Sequence, residues 1–174
     1  MISIVRNYVE YIARLLAQLA GLALIAAGIT ILAEVFMRQI GLPLIGTDEI
    51  AKVLFAYSVF FSFPYIVMLG REIRVDFIYD RLGLLSRRIA DALSKLLTVA
   101  FFALFAWLSW KSLSGAWFRD IFMAGRLGIP MWITWFAVVI GTFSAGLAAS
   151  LLLFAALRGE RPDHRDLITE ATVE

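Results

Sequence analysis

The chain has 174 residues, 61% of them hydrophobic and 17% charged, with a mean hydropathy of +0.85. Soluble domains run near 45–50% apolar and about 25% charged, and a small chain has too little interior to hide the excess, which excludes a water-soluble globule. The absence of cysteine and the single histidine, His164, exclude disulfides, thiolate zinc sites, iron–sulfur clusters and bis-histidine haem.

The first uncharged stretch covers residues 15–33, between Arg14 and Glu34. It is longer than a signal-peptide core, and Glu34-Val35-Phe36-Met37-Arg38 follows in place of a small-residue cleavage site, so it reads as a retained span. Ala13, Ala17 and Gly21 fall four apart and form a row along which another helix backbone can approach, either within this chain or from a larger membrane protein. Gly41-Leu42-Pro43-Leu44-Ile45-Gly46 then breaks the helix. Thr47 is the expected N-cap of the next one, with Asp48 and Glu49 in its first turn, where carboxylates favour the helix dipole.

The second stretch covers residues 53–70, between Lys52 and Arg71. In the connection that follows, Ile78, Leu82, Leu85, Ile89, Leu93 and Leu96 make an apolar helical stripe, while Arg81, Arg88 and Lys95 share another face. This predicts an amphipathic helix between spans two and three, either lying in the lipid interface or extending span three into the cytoplasm.

The third stretch, 96–118, is interrupted only by Lys111, about seven residues inside the Trp117-Phe118 boundary. The ammonium either snorkels toward the headgroups or pairs with Glu34, Glu49 or an acidic residue of a partner subunit. The last stretch is uncharged from 127 to 157, and Pro130 is the expected helix start. A helix over 130–157 would be roughly 40 Å long at about 1.5 Å per residue, longer than a hydrocarbon core of about 30 Å, so it must tilt or project. Gly141, Ala145 and Ala149 form a second small-residue row. Trp117, Trp132 and Trp135 flank the preceding connection as headgroup-level anchors.

Eleven lysines and arginines fall on the side of the two termini and the long connection, against five on the other. The positive-inside rule therefore places both termini in the cytoplasm. The same partition accounts for the net charge of +2 without nucleic acid. The fold class is all-α: an integral membrane protein with a four-helix domain over 1–157 and a charged cytoplasmic tail over 158–174. Spans one, two and four offer no ionisable group at mid-depth for a proton path. Ser109, Lys111 and Ser112 point apart on one helix, so they form no serine–lysine dyad. Neither catalysis nor a cofactor is expected.

Four segments carry a resemblance. Glu34-Val-Phe-Met-Arg38 resembles an E-V-x-x-R element ending span one, and Gly46-Thr-Asp-Glu49 resembles a small/polar-D-E start of span two. Leu69-Gly70-Arg71-Glu72-Ile73-Arg74-Val75-Asp76 resembles an R-x-G-x-H-I-x-V-D pattern, and Gly128-Ile129-Pro130-Met131-Trp132 resembles G-x-P-x-W before span four. These are features of the small permease subunit (DctQ type) of tripartite ATP-independent periplasmic (TRAP) transporters, and their order and spacing cover roughly residues 5 to 157. Glu72 departs from the pattern, standing where the family usually has histidine, so no role of that histidine transfers.

The resemblance implies a bacterial inner-membrane subunit that scaffolds a larger, elevator-type permease. Uptake of organic acids would be sodium-driven, with a periplasmic solute-binding protein delivering them. On that reading Glu34, Arg38, Asp48 and Glu49 order the outer end of the first hairpin and meet partner charges. Arg71, Arg74 and Asp76 fix the inner exit of span two by pairing and contact with membrane lipids, and Pro130, Trp132 and Trp135 set the start and depth of span four. Topology and capping alone are the plainer account of each. The competing functional class is a membrane anchor subunit of a quinone-reactive redox complex. A self-sufficient channel would need oligomerisation to enclose a path.

Overall fold

The computed structural model describes residues 2–42, 44–69 and 84–157. Four helices account for nearly all of them: α1 (Ile2–Gln39), α2 (Thr47–Met68), α3 (Leu84–Phe118) and α4 (Met131–Leu157). Each contains a stretch long and apolar enough to cross a membrane. The described residues form no strand, only an isolated antiparallel bridge between Phe122 and Pro130. The tail over 158–174 and the segment carrying Arg71, Glu72, Arg74, Asp76, Ile78, Arg81 and Leu82 lie outside the described residues.

The helices outrun the apolar stretches that signal them. α1 has 38 residues, about 57 Å at about 1.5 Å per residue, and begins well before the first uncharged stretch. Its charged ends stay helical because Glu10 pairs with Arg14, and Glu34 with Arg38, each one turn apart. α2 likewise starts at Thr47 rather than near Val53, and Asp48 accepts a hydrogen bond from Lys52 at 3.0 Å. All three pairs place the acid N-terminal to the base, the more favourable order on a helix. From Leu84 onward the apolar stripe of the long connection is continuous with span three as one helix.

The rim end of the molecule holds the α1–α2 and α3–α4 connections. α1 and α3 both stop there by reversing into left-handed backbone. Gly41 (φ 79°) follows α1, and the Leu42 N–H donates to the Met37 carbonyl at 3.0 Å. Asp120 (φ 46°) follows α3, and the Ile121 N–H donates to the Ala116 carbonyl at 3.3 Å. Both are six-to-one C-terminal closures. Two expected starts shift by one residue. Gly46 (φ 81°), not Thr47, is the N-cap of α2, with no side-chain cap bond. Pro130 precedes α4 instead of opening it, and its carbonyl accepts the Ile133 N–H at 3.2 Å.

α2 and α4 form the centre; α1 packs on α2, and α3 on α4. The seam of α1 is alanine-lined, with Ala13, Ala20 and Ala27 buried every seventh residue. One core cluster joins Ala20, Phe61 and Ala137; the other joins Phe102, Ala145 and Ala149. Phenylalanine rings span the remaining gap between α2 and α3, with Phe63 and Phe102 centroids 6.0 Å apart and Phe60 and Phe105 6.1 Å apart. The result is an open row, α1–α2–α4–α3, whose flanking helices each keep an apolar face exposed. The two small-residue rows part company here. Gly141, Ala145 and Ala149 are interior, whereas only Ala13 of the first row is fully buried, and a Cβ on Gly21 would meet nothing within 4 Å.

Candidate functional site at the loop rim

The rim is built around Glu49. One turn into α2, this carboxylate is only 1% exposed and faces no cation among the described residues. It reaches across to the α3–α4 connection instead, where Oε1 accepts the Leu127 N–H at 2.9 Å and Oε2 accepts the Ile129 N–H at 3.4 Å. A buried anion is tolerable only when hydrogen-bonded, and bonds from backbone N–H groups to a carboxylate are among the stronger kind. The connection folds to supply them: the Met123 N–H donates to the Ile129 carbonyl at 2.9 Å and the Met131 N–H to the Ile121 carbonyl at 2.8 Å, on either side of the Phe122–Pro130 bridge.

Two glycines make the fit possible. A Cβ on Gly125 would stand 1.9 Å from Glu49 Oε1, and one on Gly46 would stand 2.2 Å from Leu127 Cγ. Gly46 therefore serves twice, adopting the left-handed turn that starts α2 and leaving the hollow that seats Leu127. The two rim connections interlock: Leu127 sits against the first, and Glu49 of the first hairpin holds the second. Lower down, the Tyr57 hydroxyl donates to the Ile133 carbonyl at 3.1 Å, a further tie from α2 to the start of α4.

The other candidate residues are not drawn together. Glu34 and Arg38 pair with each other on α1, and Asp48 pairs with Lys52, all by local helix spacing. Lys111 is exposed on α3 and forms no ion pair among the described residues, so it meets neither Glu34 nor Glu49. Trp132 packs edge-to-face on Trp117 with ring centroids 5.0 Å apart, joining α3 to α4 at the rim, while Trp135 is half-buried. Arg119, Asp120, Phe122 and Arg126 lie exposed on the second connection. Gly125 and Leu127 are the members that sequence reading missed, along with the hollow at Gly46, which it read only as a helix breaker and part of the span-two start. The available signal was Gly125 beside Arg126-Leu127, since Gly128 on the other side is needed for its own left-handed backbone (φ 61°).

Residues 27–159 match the family model described as tripartite ATP-independent periplasmic transporters, DctQ component. The chain belongs to this family. The matched region begins within α1 and runs through α4, so it contains the Glu49 clamp and all four resembling segments. No curated protein matches the chain. As a DctQ component it is the small component of a TRAP transporter and a multi-pass membrane protein, in a family of transporter components rather than enzymes. TRAP systems combine such a component with a large permease and a binding protein. A DctQ match gives no support to a quinone-reactive redox anchor.

Proposed function

We propose that this DctQ component scaffolds the stationary part of a large, elevator-type permease in the bacterial inner membrane, with both termini cytoplasmic. The permease draws organic acids inward on a sodium gradient, and the rim helps to receive a periplasmic solute-binding protein. One observation beside the family match supports the scaffold role. The hydroxyls of Thr30, Ser58, Ser62, Ser109, Thr142 and Ser144 all donate to carbonyls three or four residues back on their own helices. Side chains satisfied in this way turn their donors back onto their own helices, Thr134 Oγ1 being the buried side-chain oxygen among the described residues without a partner. An open row of helices with apolar flanks suits attachment to a larger partner.

On this reading the Glu49 clamp keeps the two rim connections in one fixed arrangement, so that Arg119, Arg126 and Phe122 form a rigid platform. Arg71, Arg74 and Asp76 anchor the opposite end through pairing and lipid phosphate, and the 158–174 tail lies in the cytoplasm. The test is reconstitution in proteoliposomes. Uptake of a labelled organic acid should require this chain, the large permease and the binding protein together, and should collapse when the sodium gradient is dissipated. Sodium-dependent uptake by this chain alone would overturn the scaffold reading.

A further inference from the structure

On α3, Phe102, Ser109 and Ala116 are buried at seven-residue intervals, and Phe102 packs with Ala145 and Ala149 of α4. The opposite face carries Leu97, Phe101, Leu104, Leu108, Lys111 and Gly115, spaced alternately by four and three residues, the repeat of a helix–helix seam. Its large apolar members are 50–61% exposed, and a Cβ on Gly115 would meet nothing within 4 Å. Among the described residues, no core cluster or ring contact joins this face to another helix.

Lys111 occupies a seam position six residues below Trp117, about 9 Å at about 1.5 Å per residue. Of the described carboxylates near the rim, Glu34 is engaged by Arg38, Asp48 by Lys52, and Glu49 by the amides of Leu127 and Ile129, while Asp120 lies nine residues further along the chain, about 13 Å up the axis at about 1.5 Å per residue. Cations at such depth are costly and ordinarily pair. Gly115, one turn above, leaves the α3 backbone open to close approach.

We propose that the α3 seam docks a transmembrane helix of the large permease, and that this helix presents a carboxylate to Lys111. The proposal rests on the scaffold reading above and adds which helix is covered and by what chemistry. A second copy is disfavoured as occupant. Two copies inserted in the same direction and related by a two-fold axis along the membrane normal would bring their Lys111 ammoniums to the same depth, like charge against like. Lipid tails offer no counter-charge.

The experiment co-expresses the full chain with its large permease, recovers the complex in detergent, and places a photo-crosslinking amino acid at Leu104. Wild type should recover the permease, and the Leu104 position should crosslink to it. Lys111→Met should reduce recovery about tenfold or more, and Lys111→Arg should retain most of it. Lys111→Glu should be rescued by reversing the charge of the facing permease carboxylate. Because Lys111→Met removes a charge from the hydrocarbon, the isolated variant should melt at the same temperature as wild type or higher. A lower melting temperature would place the ammonium's partner inside this chain and overturn the proposal. Undiminished recovery with Lys111→Met, or crosslinks only to lipid or to a second copy, would also overturn it while leaving the scaffold reading intact. Failure of wild type to recover the permease would instead remove the scaffold reading itself.

Discussion

Glu49 concentrates the chemistry of the rim in one side chain. In sequence it is an acid in the first turn of a helix, and the dipole is a sufficient reason for it there. What the sequence leaves illegible is a contact to amides 78 and 80 residues away, because the loop that offers those amides is shaped by bonds among its own backbone groups. The Glu49→Gln variant keeps the size but loses the charge, and turns an N–H₂ toward one of two N–H donors. Hydrogen bonds to charged groups contribute about 1.5–3 kcal/mol each. Amide hydrogen exchange at Leu127 and Ile129 should therefore quicken about tenfold or more, while exchange in the centres of α2 and α4 stays unchanged. Unaltered protection at both amides would show that the loop holds itself. Gly46→Ala should loosen the same loop by a different route, combining roughly 1–2 kcal/mol of left-handed backbone strain with displacement of Leu127.

At the scale of the element, hydropathy located the four spans, because lipid requires each backbone polar group to be satisfied within its own helix. It did not locate their ends. Those are set by the one-turn ion pairs of Glu10 with Arg14 and Glu34 with Arg38, and by the left-handed residues Gly41 and Asp120. The α2–α4 contact carries a second lesson. Pro64 lies buried inside α2 and has no N–H to give the Phe60 carbonyl one turn earlier. A Cβ on Gly141 of α4 would stand 2.2 Å from that same carbonyl oxygen. The row Gly141, Ala145 and Ala149 is thus an interior packing row, made necessary at its first position by backbone rather than by a movable side chain. Gly141→Val should destabilise the isolated subunit in detergent by about 1–3 kcal/mol or more, the range for overpacking, read as a lower melting temperature. Gly28→Ala is the matched control. Nothing lies within 4 Å of a Cβ there, and alanine favours a helix over glycine by about 0.8–1.0 kcal/mol, so its melting temperature should hold or rise. Equal losses in the two variants would mean that glycine content, not the α2–α4 contact, governs stability.

At the scale of the whole molecule, the open row has two ends of different character, and its direction in the membrane decides what each end can meet. The end with the termini and the long connection carries eleven of the sixteen lysines and arginines. The rim carries five, of which Arg38 and Lys52 are already paired with acids on their own helices. The inside bias is counted over lysine and arginine in short loops, to which acids contribute little, so these pairings leave the eleven-to-five contrast intact. The rim should therefore face the periplasm, which is also the only side from which a binding protein could reach the Glu49-clamped platform. Because the chain has no cysteine, single thiols report orientation without background. An Ala124→Cys thiol, on the exposed α3–α4 connection, should react with a membrane-impermeant maleimide in cells whose outer membrane is permeabilised. A Thr169→Cys thiol in the tail should react only after the inner membrane is broken. The reverse pattern would turn the platform toward the cytoplasm and end its assignment as a docking face, whatever the fate of the scaffold. Adding Glu49→Gln to the Ala124→Cys chain separates orientation from order. The side of labelling should not change, but the thiol should react faster as the loop it sits on loses one of its two bonds to residue 49 and the charge behind the other.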